Sequence, residues 1–216
     1  MPTPRRALRR DPLPASHLEL LFDVPAAPFV SALAAGAVAA SGATVHHAAN
    51  AAGTFFFHDA LATLRDELSK VGWKNVSSGN LEYSMHPKGR HRIFVLAGDS
   101  NTGDAVATPH SRRPRGSQGK EQVIQGQLDF ALAELGLDEA LDASTVTTWA
   151  LLHYFDRAKE IVRGEISVPA AIDSSGCVTD WRARILLPDV DLGPGRVAEM
   201  PTGTPPVNFE VRRKKA

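Results

Sequence analysis

Two short runs of β-period, separated by a turn, do most to limit what this chain can become. Leu81, Tyr83 and Met85 alternate with polar neighbours, and Arg92-Ile93-Phe94-Val95-Leu96 resumes the apolar pattern after Pro87-Lys88-Gly89. Alternation puts one side of each run against a core, and a connection this short returns the chain antiparallel. A hairpin here calls for a sheet, and a sheet calls for something to cover it.

The covering elements are legible on either side. Phe55, Phe56, Leu61, Leu64 and Leu68 recur at helical spacing and end at Gly72, which predicts a helix closed by a C-terminal glycine. Ser77-Ser78-Gly79-Asn80 reads as a turn. A second helix is expected from Val123, Ile124, Leu128, Leu132 and Leu135, ending at Gly136. Three further strands are expected at 146–155, 161–168 and 181–187, with short turns between them that favour antiparallel neighbours. The order α-β-β-α-β-β-β is an α+β pattern: a mostly antiparallel sheet of about five strands with two packed helices.

Residues 1–53 read differently. Pro2, Pro4, Pro12, Pro14, Pro25 and Pro28 interrupt them, and 26–53 is dominated by Ala, Gly, Ser and Val. So few large side chains offset little ordering entropy, which predicts a flexible arm before a single domain at 54–190. A Pro/Gly-rich basic tail, 191–216, ends in Arg212-Arg213-Lys214-Lys215. Arg5-Arg6 and Arg9-Arg10 stand too far from the alanine-rich stretch 29–40 for a twin-arginine signal, and that stretch is too short to span a bilayer.

Charge and composition narrow the function. The chain of 216 residues has 24 basic and 24 acidic side chains, so bulk electrostatics drives it onto neither nucleic acid nor membrane. Its one cysteine, Cys177, permits no intramolecular disulfide, which suits a reducing, cytoplasmic setting. No metal or cofactor is expected: His46, His47, His58 and Asp59 lack the spacing of a ligand set.

Three motifs carry candidate chemistry. Gly98-Asp99-Ser100-Asn101 follows a strand and resembles the nucleophile block of the SGNH/GDSL hydrolases. A serine nucleophile needs a base, for which His110 and His153 are the candidates, but the Asp-x-x-His and Gly-x-Asn-Asp motifs of that family are missing. A non-periodic stretch from Gly98 to Gly119 holds Arg112, Arg113 and Arg115, followed by Lys120, while Lys88, Arg90 and Arg92 flank the hairpin turn. With Arg163, Arg182 and Arg184 on the polar sheet face, they would form a phosphate-binding surface on a neutral protein. In the arm, His17-Leu18-Glu19-Leu20-Leu21-Phe22 resembles the peptide with which bacterial proteins dock on the DNA sliding clamp, making Leu18, Leu20, Leu21 and Phe22 candidate partner contacts.

Residues Trp73–Gly103, with a Gly-Trp–hairpin–Gly-Asp-x-x-Thr-Gly layout, and Trp149–Pro188, ending in Arg-Ile-Leu-Leu-Pro, resemble uncharacterised accessory proteins of bacterial phages, plasmids and integrative elements. The resemblance implies no activity or site, and suggests a role in DNA maintenance, defence or counter-defence. The leading expectation is a non-enzymatic accessory protein that binds DNA, RNA or a nucleic-acid-handling partner through the basic loop, with the arm as a tether to a DNA-replication or defence protein. The alternatives are a hydrolase at Ser100 and a protein–protein module acting through the arm.

Overall fold

The computed structural model describes residues 11–78, 81–112 and 146–193. Helices α1 (His17–Phe22), α2 (Ala27–Ser41) and α3 (Ala51–Ser69) precede strands β1 (Lys74–Ser78), β2 (Leu81–Met85), β3 (His91–Ala97), β4 (Thr147–Asp156), β5 (Ile161–Ile172), β6 (Val178–Leu186) and β7 (Val190–Asp191). The strands form one mixed sheet in the order β1-β2-β3-β4-β5-β6, with β7 on β5, so the fold is α+β. The helix expected around Val123–Leu135 and the tail beyond 193 lie outside the described residues.

The hairpin is present, with Met85 opposite Arg92. Among the described residues the sheet has seven strands rather than about five. β1 is built from Lys-Asn-Val-Ser-Ser, which has too little apolar content to show a period, and pairs along β2 from Lys74–Met85 to Ser78–Leu81. β3 and β4 are parallel, from His91–Thr147 to Ala97–His153. The long interval between them permits a crossover that a tight turn would forbid.

The largest departure from expectation is the N-terminal region. Residues 17–41 are not an arm: Leu18, Phe22, Phe29, Ala32 and Leu33 are wholly buried in the core with Ile93, Leu151 and Ile166. Pro28 falls in the first turn of α2, where a missing N–H breaks no helical bond. The alanines and glycine let two helices approach closely, since a Cβ on Gly36 would fall 2.8 Å from the Phe56 ring. Small residues that look incapable of ordering a chain in isolation here maximise contact between α2 and α3.

Phe22 is the hub of this layer. Its ring meets Phe29, Trp73, His91 and Trp149 edge-on, with centroids 5.2–6.3 Å apart. Asp23 follows in a left-handed conformation, φ 57°, and accepts from Lys88 Nζ at 2.8 Å, fastening the end of α1 to the hairpin turn. Leu18 and Phe22 are therefore core residues rather than partner anchors; Leu21 is half-buried against the core, and Leu20 is 76% exposed.

One face of the sheet packs on these helices. The other carries a second cluster of Tyr83, Phe94, Leu96, Ala150, Leu152 and Trp181. Among the described residues no helix is long and apolar enough to cross a membrane.

Replacing Phe22 with Ala should cost about 3–5 kcal/mol in urea unfolding, whereas Leu20→Ala should stay within about 0.5 kcal/mol. Equal small effects would mean that α1 is a detachable arm after all.

Candidate functional site

The polar segment after β3 is a fastened loop. Leaving β3 at Gly98, it doubles back so that Asp99 N–H donates to the His110 carbonyl and Arg112 N–H to the Ala97 carbonyl, each at 2.9 Å. Strands β5 and β6 hold its length. Arg184 donates to Glu165 through Nε at 3.0 Å and Nη2 at 2.5 Å, and also to the carbonyls of Asp104 at 2.9 Å and Ala107 at 3.0 Å. Glu165 accepts further bonds from the Gly103 amide at 3.0 Å and the Ser167 hydroxyl at 2.6 Å. Trp181 Nε1 donates to Pro109 O at 2.7 Å, and the Val178 amide donates to Ser111 Oγ at 2.8 Å. Glu165 is fully buried and Arg184 is 8% exposed, so this pair cannot relax into water.

This geometry revises the reading of the Gly-Asp-Ser-Asn string. Gly98 is required by packing: a Cβ there would lie 2.1 Å from Thr102 Oγ1 and 2.9 Å from Leu152. Ser100 is exposed, and its carbonyl, not its hydroxyl, is engaged, accepting from Arg163 Nη2 at 2.6 Å. Neither candidate base engages that hydroxyl among the described residues. The His110 ring is exposed, and among the described residues no hydrogen bond joins an imidazole to the Ser100 hydroxyl. His153 points from β4 toward the helices, stacked on Phe56 with ring centroids 3.8 Å apart and planes 8° from parallel. Leu152, its neighbour, faces the loop instead, as strand alternation requires. The backbones of His110 and His153 run beside the Gly98–Ser100 turn, but no imidazole hydrogen-bonds the Ser100 hydroxyl among the described residues, and the His153 ring lies on the helix side of the sheet.

The basic residues separate into engaged and unengaged groups. Lys88 is paired with Asp23. Arg92 donates to Thr148 Oγ1 at 2.7 Å and lies over the Tyr83 ring. Arg163 supports the loop and covers Tyr154, and Arg184 is buried rather than on a solvated face. Arg90 and Arg112 are exposed, but the seven residues of β3 stand between them, roughly 20 Å of extended chain. The hairpin and the loop therefore hold separate groups of cations at opposite ends of β3. Arg113, Arg115 and Lys120 lie outside the described residues.

Arg112 instead shares a site with Arg157, which sequence reasoning missed. Both line a cavity of about 650 Å³ at the ends of β3 and β4, together with His153, Phe57 and the N-terminal residues of α3. Arg157 donates one Nη2 bond to Ala40 O at 2.8 Å and lies over the Phe155 ring. His153 is 7% exposed; burial, with Arg112 nearby, depresses its pKa from the ordinary 6.5 to about 3. It is a neutral imidazole at physiological pH, too weakly basic to activate a nucleophile.

No protein-family model, curated protein or solved structure matches this chain.

The buried imidazoles set the sign of an acid response. His153, and by burial also His86 and His91, hold protons less readily folded than unfolded. Stability should be full above pH 7 and fall as pH drops from 6.5 toward 3, because the unfolded chain takes up protons first. Urea unfolding at pH 7 and pH 4.5 should show a smaller loss for His153→Phe than for the wild type. An equal loss would place the acid response elsewhere.

Proposed function

We propose that the protein is a non-enzymatic, cytoplasmic accessory protein that binds nucleic acid at the edge formed by the loop after β3 and the turn after β4. The observation that carries this reading is the state of Arg112. Its guanidinium is exposed and makes no hydrogen bond or ion pair among the described residues, yet its backbone is locked to β3 through Ala97. A cation with no internal partner, held on a loop that β5 and β6 keep in place, is suited to meet a phosphate at low entropic cost. Arg157 supplies a second positive charge at the same cavity, and Arg113 and Arg115 continue the chain from Arg112.

The hairpin contributes less to this reading than its composition suggested. Lys88 is neutralised by Asp23 and Arg92 is bonded within the sheet, so the contact is narrowed to one end of β3 and β4. A role in DNA maintenance or defence is part of this proposal, and binding is favoured over hydrolysis because no imidazole hydrogen-bonds the Ser100 hydroxyl among the described residues.

Fluorescence anisotropy with labelled single-stranded DNA, duplex DNA and RNA, read over a salt series, tests the proposal. The double variant Arg112→Ala/Arg157→Ala should weaken binding and lower the salt slope by about 2, while Lys88→Ala/Arg92→Ala should leave the slope nearly unchanged. Absence of salt-sensitive binding to all three polymers would overturn the reading.

A further inference from the structure

The cavity beneath Arg112 and Arg157 has features that a polymer backbone does not use. It lies where the neighbouring parallel strands β3 and β4 both end, and their continuations diverge there: β3 into the loop fastened over one face, β4 into the turn at Arg157. Diverging connections at the carboxyl ends of parallel strands leave a crevice between them.

The nineteen-residue helix α3 starts at this crevice. Asn50, at its N-cap, makes no side-chain capping bond. Ala51 N–H donates back to Ala48 O and Thr54 N–H to Asn50 O, but the amides of Ala52 and Gly53 find no acceptor among the described residues. Two free donors at the positive end of a long helix, in a cavity that also holds a guanidinium, match the requirements of an oxyanion. A carboxylate would use two or three such bonds. Two amides together with the fork of Arg112 offer more, which suits the three terminal oxygens of a phosphate monoester.

His153 provides the second and independent indication. Its ring lines the same cavity, is 7% exposed, and forms no hydrogen bond among the described residues. A largely buried imidazole with no hydrogen-bond partner among the described residues is a ready contact for a polar atom of a bound ligand. Stacking on Phe56 fixes the ring plane, so the imidazole addresses one direction in the cavity. It offers one N–H and one lone pair, which can read a polar atom of the ligand away from the anion.

Size and lining complete the description. Ala40, Ala49, Ala52, Phe57 and Val95 give the cavity apolar walls. At about 650 Å³ it is in the range of sites for organic ligands, and an inorganic anion would leave most of it empty.

We infer that this cavity is a binding site for a small phosphate monoester with an organic body of nucleoside size, the phosphate on the α3 N-terminus and Arg112, and a polar atom of the body on His153. The site is separate in its demands from nucleic-acid binding at the rim, and stands or falls by its own ligand.

Isothermal titration calorimetry of the full chain tests it, with adenosine 5′-monophosphate, adenosine and inorganic phosphate as probes. The monophosphate should bind at least roughly tenfold more tightly than adenosine or phosphate alone, and Arg112→Ala should weaken it by roughly tenfold or more. His153→Phe keeps the stack and the volume, and should weaken the monophosphate while leaving inorganic phosphate unchanged. In ¹⁵N NMR the amides of Ala52 and Gly53 should shift on adding either phosphate. No heat with the monophosphate at millimolar concentration, equal affinity for adenosine, or equal affinity for inorganic phosphate would each overturn the assignment. Polymer retention without monophosphate binding would leave the rim reading intact and remove this one; monophosphate binding without polymer retention would do the reverse.

Discussion

The buried pair of Glu165 and Arg184 is the constraint from which the functional end of the molecule follows. The carboxylate is fully buried and the guanidinium nearly so, so each needs partners from the protein. Each meets the other and then reaches the loop after β3: the guanidinium through Asp104 and Ala107, the carboxylate through Gly103. Breaking such a pair from one side costs about 3–5 kcal/mol, because the remaining charge is stranded. The polar sequence from Gly98 to Ser111 is thereby made the lid of the second sheet face, and Arg112 emerges from it at a fixed place. Without that attachment the segment would be an ordinary irregular connection.

The distribution of charge then separates structural from available cations. Lys88, Arg92, Arg163 and Arg184 each have an internal acceptor, and each ties together elements that are distant in sequence. Arg112 has none among the described residues, and Arg157 is only partly engaged, by Ala40. These two meet at one cavity. A neutral chain thus concentrates unpaired positive charge locally, at the start of a helix whose own dipole has the same sign.

Much of the fold was legible in the sequence, for identifiable reasons. The β2–β3 hairpin, α3 and strands β4 to β6 have strong apolar periods, and each occurs close to the expected place. β1 was hidden because Lys74, Asn75, Ser77 and Ser78 give a period nothing to act on; pairing with β2 makes it a strand. Helix α1, six residues between prolines, is too short to show a period, and α2 was hidden because alanine and glycine look the same in a loose arm and in a tight helix pair. Only the fit of Gly36 against Phe56 distinguishes them, and that is a tertiary fact. At the site, Arg112 and His153 were recognised as residues of interest, but His153 was offered as a base for Ser100, whereas its ring lies on the helix side of the sheet. Its place in β4, one residue after Leu152, carried the relevant signal, since neighbours in a strand cannot both face the loop. The α3 amides left no trace in side-chain chemistry. Arg184 was read as solvated because alternation shows which residues share a face, not whether that face is covered.

Amide hydrogen exchange on the loop tests most directly whether it is held as a preformed recognition element. The amides of Asp99, Gly103, Ser111 and Arg112 all donate to acceptors within the protein. They should exchange about as slowly as those of β4, and Arg184→Met should make Gly103 exchange fast while β4 stays protected. If these four amides exchange at the rate of an open loop in the wild-type protein, the loop is not fastened and the binding edge is not preorganised.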